Sequence, residues 1–122
     1  MSKTIMIIDD SVSLRQVVAI ALADAGYEVI EASDGQDAVE KLTGQKVHLM
    51  ICDVNMPRMD GITFLKTIRQ NSSYKFTPII MLTTEAGEEK KKEGQAAGAR
   101  AWVVKPFKPE QLLVAVSKLI LP

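Results

Sequence analysis

The sequence predicts a single α/β domain over residues 1–122, built on one doubly wound, five-stranded parallel sheet with five helices. One observation is alternation: five short apolar runs are separated by segments of helical periodicity along the whole chain. Another is that the first of these runs is apolar on both faces, as strands are when helices cover both sides of a sheet. Right-handed crossovers between parallel strands then leave few topologies.

The strands are predicted from apolar runs bounded by turn signals or by charged residues. The second run has mixed polarity, which is typical of a strand near the edge of a sheet. The five strands are predicted over residues 4–8, 27–32, 48–52, 78–82 and 101–104.

Capping residues mark the first two helices. Ser13 and Gln16 have the spacing of a capping box, which predicts the start of the first helix. Gly26 can end that helix in a left-handed conformation. Ser33 or Asp34 can cap a short second helix, which the glycine at position 44 would stop.

The later helices have similar signals. Asp60 and Gly61 open the third helix, and Pro109 suits the first position of the fifth. Segment 85–98 is polar and its only apolar side chains are alanines, and Gly94 costs about 1 kcal/mol relative to Ala in a helix. We predict a fourth helix that is weakly anchored to the sheet. A solvated charge run needs no function, whereas a conformational switch also uses a marginal helix.

The composition excludes several classes of function. Fifteen basic and fifteen acidic residues balance to zero, which argues against a nucleic-acid-binding protein. The apolar run at the N-terminus has four residues, too few for a signal peptide or a membrane span, and we expect a soluble cytoplasmic protein. Cys52 is the only cysteine, so no intramolecular disulfide can form, and we expect it to be buried.

Carboxylates follow two of the predicted strands: Asp9 and Asp10 after the first, and Asp53 after the third. If these strands are neighbours, about 4.8 Å apart, the three carboxylates converge where ligands bind in open α/β sheets. Like charges about 4 Å apart repel by about 4 kcal/mol, so the cluster would take up protons or a cation, and oxygen ligands suit Mg²⁺. One carboxylate can then attack phosphorus, with Lys105 as a second positive group.

Each of these residues also has a simpler interpretation. Asp9 or Asp10 can cap the first helix, and Lys105 can be a surface lysine. Thr83, which follows the fourth predicted strand and could also contribute to the site, can be an ordinary β-branched strand residue. His48 lies at a strand start, away from the predicted site, and no role in phosphate transfer is assigned to it.

Five short pieces of sequence lie at the predicted strand ends and helix starts. They are Ile8-Asp9-Asp10-Ser11, Asp53-Val54-Asn55-Met56-Pro57, Asp60-Gly61, Met81-Leu82-Thr83 and Val103-Val104-Lys105-Pro106-Phe107. With these five pieces in this order, the chain resembles the receiver domain of two-component response regulators over essentially its whole length. The resemblance is closest to stand-alone receivers of the chemotaxis CheY type.

The resemblance implies a role for each acidic residue and for the loop after the third strand. Asp53 is implied to be the phosphorylated residue. Asp10 and Asp53 are implied to bind Mg²⁺, for which Mn²⁺ can substitute, through their side chains. Asn55 is implied to bind the ion through its backbone carbonyl, and Asp9 to lie one shell further out.

The resemblance also implies how phosphate is held and how the sheet is ordered. Thr83 and Lys105 are implied to contact phosphoryl oxygens. The bond between Lys105 and Pro106 is implied to be cis, although only about 5–6% of X-Pro bonds are. The strand order 2-1-3-4-5 also comes from the resemblance, because spacing alone does not give it.

Two residues depart from the family pattern. Trp102 stands where the family usually has a Tyr or Phe that swings inward on activation, so it is either a switch or a plain core aromatic. Thr84 follows the switch threonine where small residues are common, and we predict that it slows dephosphorylation. The two positions that tune dephosphorylation in the family are Asn55 and Glu85, which predict a moderate rate.

The leading functional hypothesis is a binding module that phosphorylation activates. A histidine kinase would supply the phosphate, and the face formed by the fourth helix, fifth strand and fifth helix would change partners. A flagellar motor switch protein is the expected target, and a phosphatase is a further possible partner. No enzyme activity is expected beyond self-phosphorylation from small donors and self-dephosphorylation.

Three alternatives are compatible with parts of the pattern. One is a phosphorelay shuttle that passes phosphate to a His-phosphotransfer protein. Another is a phosphatase acting through an aspartyl phosphate, which usually has two Asp separated by one residue, whereas Asp9 and Asp10 are adjacent. A flavin carrier of the same fold would need a Ser/Thr/Gly-rich loop, which residues 11–15 do not provide.

Overall fold

The computed structural model describes residues 2–84 and 88–120, with the backbone alone described at 88–90. In this part of the chain, five strands alternate with five helices. The strands are β1 (Thr4–Ile8), β2 (Glu28–Ala32), β3 (Leu49–Asp53), β4 (Ile79–Thr83) and β5 (Ala101–Val104). The helices are α1 (Val12–Asp24), α2 (Gly35–Lys41), α3 (Gly61–Arg69), α4 (Glu88–Ala96) and α5 (Pro109–Leu119).

The five strands form one parallel sheet in the order β2-β1-β3-β4-β5, as the resemblance implied. In the register of the central pair, Ile8 lies opposite Cys52, so β1 and β3 end at the same edge of the sheet. The second strand lies at an edge, as its mixed polarity predicted. The acidic residues that follow β1 therefore lie beside the end of β3.

Apolar side chains cover both faces of the sheet, which gives the domain two cores. Alternate strand residues point to opposite faces. Side chains of α2 and α3 pack with Met6, Met50 and Met81 on one face. Side chains of α1 and α5 pack with Ile7 and Ile51 on the other face. Apart from Asp53 and Thr83 at their last positions, β3 and β4 are apolar because helices cover both of their faces.

The start of α1 differs from the prediction. The cap is Ser11, whose Oγ accepts a hydrogen bond from the Leu14 amide at 3.3 Å. Ser13 already lies inside the helix, so the capping box predicted for Ser13 and Gln16 is wrong. The physical reason is that the Ser11 amide also donates to Asp9 Oδ1 at 2.8 Å, which turns the chain into the helix two residues earlier.

Four other helix boundaries agree with the prediction. Asp34 rather than Ser33 caps α2, with Oδ1 accepting from the Asp37 amide at 2.8 Å. Asp60 caps α3 in the same way, and Pro109 is the first residue of α5. Gly26, which follows α1, has a φ of 97°, the left-handed conformation that its position predicted.

Three strands have boundaries that are shifted by one residue from the prediction. The second strand begins at Glu28 rather than at residue 27, and β3 and β4 begin and end one residue later than predicted. As a result, Asp53 and Thr83 are the last residues of strands, not the first residues of loops. Their backbones remain in the sheet because a neighbouring strand still pairs with each: Asp53 lies opposite Leu82, and Thr83 opposite Val104.

Packing explains why α4 contains Gly94, a residue that is unfavourable within a helix. Gly94 is buried, and a Cβ added there would lie 2.7 Å from Cζ3 of Trp102 and 3.4 Å from Cδ1 of Ile62. The ring of Trp102 thus occupies the space that a side chain on α4 would take. An ion pair between Lys66 and Glu93 at 2.9 Å also links α3 to α4.

Across residues 2–84 and 88–120, none of the helices has both the length and the apolar character that crossing a membrane requires.

Candidate functional site

The three acidic residues predicted from the sequence come together at the carboxyl edge of the sheet. Asp9 and Asp10 follow β1, and Asp53 ends β3, the neighbouring strand. One carboxylate oxygen of each lies within 4.8 Å of the others. Asp9 and Asp53 are buried, whereas Asp10 is exposed, so the cluster opens to solvent on one side.

Lys105, which follows β5, reaches this cluster from the far side of β4. Its Nζ donates to Asp9 Oδ2 at 3.1 Å and lies 3.4 Å from Asp53 Oδ1. Its side chain is 17% exposed, so the two ion pairs are partly shielded from water. One ammonium beside three carboxylates leaves excess negative charge when all are ionised.

The donor set fits a hard divalent cation. Three carboxylates at this separation offer only oxygen ligands, and Mg²⁺ is usually held by one or two carboxylates, with waters or substrate oxygens completing its shell. The opening beside Asp10 leaves space for such additional ligands. The residues present therefore fit Mg²⁺, and Asp10 and Asp53 remain its predicted side-chain ligands.

Burial and neighbouring charge make Asp53 unusual among the acids. Burial is the larger cause and the charge of Asp9 the next, and together they raise the pKa of Asp53 to about 6 from an ordinary value of 3.8. The charge and hydrogen bond of Lys105 act in the opposite direction. It is thus costly to hold the carboxylate of Asp53 ionised without a cation beside it, and a bound cation would favour its charged form.

Asp9 is held from three directions. Its Oδ1 accepts the Ser11 amide, its Oδ2 accepts Lys105, and its backbone carbonyl accepts Nη1 of Arg15 at 2.6 Å. Nε of Arg15 also pairs with Glu31 of β2 at 3.1 Å. Arg15 was not predicted as a site residue, because the only signal in the sequence is a basic residue one turn into α1, which is equally typical of a solvent-facing position.

The segment between β3 and α3 carries Asn55, whose side chain is exposed. The segment closes through the Gly61 amide, which donates to the Val54 carbonyl at 2.9 Å. A Cβ added at Gly61 would lie 2.1 Å from the carbonyl oxygen of Asp53, so the chain approaches itself where only glycine fits. The Asp60-Gly61 pair in the sequence therefore marks both a helix cap and a close backbone contact beside the site.

With this geometry established, comparison with known proteins identifies the family. The response regulator receiver domain matches residues 5–117. The chain belongs to the response regulator receiver family. Members of this family are signalling domains rather than conventional enzymes.

Individual receivers are similar over nearly the whole chain. Chemotaxis protein CheY1 of Helicobacter pylori is 39% identical over 110 residues, which cover 88% of this chain and 89% of CheY1. A high-resolution structure of Vibrio cholerae chemotaxis protein CheY4 has a TM-score of 0.94 and 49% identity, covering 98% of this chain and 100% of that chain.

The structure of a more distant receiver is relevant to which metal the acidic cluster binds. The receiver domain of a sensor histidine kinase from Pseudomonas aeruginosa PAO1 has 26% identity and a TM-score of 0.88, with 98% of each chain covered. That structure holds a magnesium ion coordinated in its active-site cleft. The acidic cluster of this receiver, at Asp9, Asp10 and Asp53, is consistent with the same kind of site.

The phosphate-contacting residues predicted for this receiver lie at the ends of β4 and β5. Thr83 is buried at the end of β4, between the strands that carry Asp53 and Lys105. Thr84 is exposed and lines a shallow cavity of about 290 Å³ together with Lys105 and Phe107. Thr84 therefore lies near Lys105, and its predicted effect on dephosphorylation stays a prediction. Glu85, the second tuning position, lies outside the described residues.

Trp102, which the sequence analysis left as either a switch or a plain core aromatic, packs inward. It pairs with Met81 across the sheet, and Thr83, two residues later on β4, points to that same face. The ring packs against the core cluster beneath α2 and α3. Within the described part of the chain, the buried indole Nε1 has no hydrogen-bond partner, a situation that costs about 1–3 kcal/mol.

Three further sequence predictions concern the peptide bond before Pro106, His48 and Cys52. The peptide bond between Lys105 and Pro106 is cis, as the resemblance implied. His48 lies at the opposite end of the sheet, where its Nδ1 accepts the Thr4 amide at 3.0 Å. Cys52 is fully buried, as expected for a small apolar residue in β3.

Proposed function

We propose that this receiver is a phosphorylation-activated signalling module in which Asp53 accepts a phosphoryl group from a histidine kinase. The observation that carries the proposal is the convergence of Asp9, Asp10, Asp53 and Lys105 at one edge of the sheet. Three acids alone can form a simple cation site. The lysine beside Asp53 adds what a phosphoryl acceptor needs, a positive group next to the atom that is modified.

The transfer itself is a displacement at phosphorus. An ionised carboxylate oxygen of Asp53 forms a bond to phosphorus, while the phosphorus–nitrogen bond of phosphohistidine breaks and its electron pair leaves with the imidazole. With acetyl phosphate as the donor, the phosphorus–oxygen bond breaks and acetate leaves. The product in both cases is an acyl phosphate on Asp53.

The surrounding residues each contribute one interaction. Bound Mg²⁺, with Asp10, Asp53 and the Asn55 carbonyl as its protein ligands, would neutralise the cluster and bind phosphoryl oxygens. We propose that Lys105 exchanges its ion pair with Asp53 for one with the phosphoryl group. Thr83 would donate its hydroxyl to another phosphoryl oxygen.

We propose that the output is a change of protein partner at the face formed by α4, β5 and α5. Two features of this face support the proposal. Trp102 of β5 lies on the same side of the sheet as Thr83, and it packs directly on Gly94 of α4. A movement of Thr83 toward a phosphoryl group would therefore open space for the ring of Trp102 and alter the position of α4.

The likeness to CheY1 and CheY4 supports a chemotaxis partner, for which a flagellar motor switch protein is our proposal. Such a pathway would place the protein in the cytoplasm. A balanced net charge of zero also favours recognition of protein surfaces over nucleic acid.

The proposal is tested by exposing the protein to acetyl phosphate with Mg²⁺ and measuring its intact mass. Wild type should gain one phosphoryl group, and EDTA should prevent the gain. Asp53→Asn should gain none, because the amide is a poor nucleophile. Asp24→Asn, which neutralises an exposed Asp at the end of α1, is the matched control and should behave as wild type. A wild-type chain that stays unmodified, or an Asp53→Asn variant that is modified equally, would contradict the assignment.

A further inference from the structure

A forked ion pair joins α2 to the segment between β3 and α3. In this segment, Arg58 Nε donates to Asp34 Oδ2 at 2.8 Å, and its Nη2 donates to Asp34 Oδ1 at 3.0 Å. The carboxylate side chain of Asp34 is only 6% exposed, and its Oδ1 also caps α2 through the Asp37 amide. The hydrogen bond from Arg58 is the main reason that the pKa of Asp34 lies below its ordinary value.

The backbone at Arg58 has an unfavourable conformation. Its φ is 61°, which makes Arg58 a left-handed residue that is not glycine. Such conformations persist when surrounding contacts over-determine them, and they cluster where a protein must hold one particular geometry. Here the forked contact with Asp34 is the interaction that orients the Arg58 side chain.

A second contact connects the same two parts of the chain through their backbones. The Gly35 amide donates to the Met59 carbonyl at 3.1 Å. A Cβ added at Gly35 would lie 2.8 Å from that carbonyl oxygen and 2.8 Å from Cγ of Met59. The start of α2 is thus built to let the segment approach closely, independently of the ion pair.

The segment between β3 and α3 needs a fixed backbone conformation if its Asn55 carbonyl is to bind a cation. Its ends are fixed at Val54, whose amide donates to the Leu82 carbonyl, and at Gly61, whose amide donates to the Val54 carbonyl, each at 2.9 Å. Between them lies Asn55. A backbone carbonyl can bind a cation only if the chain itself points it toward the ion, because no side-chain rotation can correct its direction.

We propose that Arg58 and Asp34 are positioning residues, which hold segment 55–60 so that the Asn55 carbonyl faces the divalent cation. The inference rests on the proposed function in one respect, the use of that carbonyl as a metal ligand. Neither Arg58 nor Asp34 contacts the cation. Their pair acts by reducing the conformations that the segment samples before the ion binds.

The test is Mg²⁺ affinity, measured by NMR titration of backbone amides with the metal alone. Arg58→Asn removes the guanidinium fork and supplies a residue that tolerates the left-handed conformation, so it separates the contact from backbone strain. We expect affinity to fall about tenfold, at the lower end of what loss of an outer-shell partner usually costs. Amide hydrogen exchange in residues 55–59 should be faster in the metal-free variant.

Three further variants make the result specific. Asp34→Asn keeps an oxygen that can cap α2 but removes the charge, and it should weaken Mg²⁺ binding as Arg58→Asn does. Arg58→Lys keeps the charge without the fork and should fall between wild type and Arg58→Asn. Lys66→Gln breaks the exposed ion pair with Glu93, which joins α3 to α4 and includes no residue of the segment, and should leave the affinity unchanged.

Two outcomes would overturn the inference. One is an Mg²⁺ affinity within about twofold of wild type in both Arg58→Asn and Asp34→Asn, with only the resistance to denaturant reduced. The other is an equal loss of affinity in Lys66→Gln. Failure of the proposed function would look different: wild type would bind Mg²⁺, the variants would bind it more weakly, and acetyl phosphate would modify none of them.

Discussion

Asp53 holds its charge at an energetic cost to the fold. Its pKa is raised to about 6 in the folded protein, whereas an ordinary Asp titrates near 3.8, so the folded state binds the proton more tightly than the unfolded state. The stability that a protonated Asp53 provides is present below pH 3.8 and is lost as the pH rises through 6. At neutral pH, the metal-free protein therefore carries the full cost.

The first prediction follows from this cost. In EDTA at pH 7.5, Asp53→Asn should be more stable to denaturant than wild type, because the amide needs no ionisation. At about 1.4 kcal/mol per pH unit, the difference between the two pKa values corresponds to an upper limit of about 3 kcal/mol. The advantage should shrink toward zero near pH 4. Asp24→Asn should change stability by less than about 0.5 kcal/mol at either pH. An advantage for Asp53→Asn that is the same at both values of pH would contradict the explanation.

Single residues also show which parts of the site can be predicted from the sequence and which cannot. Asp9, Asp10, Asp53 and Lys105 were found because each lies at the end of a predicted strand, where residue type and position together indicate chemistry. Arg58 was missed because its partner, Asp34, is 24 residues away on another element. An isolated arginine in a loop carries no signal of the carboxylate that it will meet.

At the scale of elements, α4 and β5 fit each other closely at Gly94 and Trp102. Glycine weakens a helix by about 1 kcal/mol relative to alanine, so the sequence alone indicates that Gly94 destabilises α4. In the structure, it provides the space that the ring of Trp102 occupies. The bulky departure on β5 and the small residue on α4 are thus two parts of one contact.

The second prediction tests this contact through Gly94→Ala. The added methyl group should improve helix propensity by about 1 kcal/mol, but it would lie 2.7 Å from a rigid ring, and overpacking costs about 1–3 kcal/mol. We expect a net loss of stability of up to about 2 kcal/mol. Trp102 is the only tryptophan, so its fluorescence should shift as the ring moves.

The matched control is the same substitution in a Trp102→Leu background. There the ring is absent, so Gly94→Ala should stabilise the protein by the helix-propensity gain alone, as measured by urea unfolding followed by circular dichroism. The same change in stability in both backgrounds would show that Trp102 and Gly94 do not interact.

Element boundaries were less predictable than the elements themselves. Helix α1 begins at Val12 because Asp9 and Ser11 form a turn that the capping-box spacing of Ser13 and Gln16 does not reveal. Strands β3 and β4 run one residue further than their apolar runs. Pairing continues through Asp53 and Thr83 even though their side chains are polar.

At the scale of the whole molecule, the order of the strands decides the site. Alternating strands and helices predict the fold class, yet many strand orders satisfy that pattern, and the order β2-β1-β3-β4-β5 came from family resemblance. Only with β1 beside β3 do Asp10 and Asp53, far apart in the chain, approach each other. The candidate site is therefore a property of the folded sheet that no single segment of sequence contains.

This dependence on folding gives the last prediction. A ligand that binds the folded chain but not the unfolded one stabilises the fold by an amount that grows with the logarithm of its concentration, to about 2.7 kcal/mol at 100 times the dissociation constant. The urea midpoint of wild type should therefore rise steadily with Mg²⁺ at constant ionic strength. In Asp53→Asn, whose central carboxylate is gone, the rise should be largely lost, and Asp24→Asn should respond as wild type does. Equal rises in wild type and Asp53→Asn would mean that Mg²⁺ acts elsewhere on the surface, since the loss of one of three converging acids must weaken a site that they share.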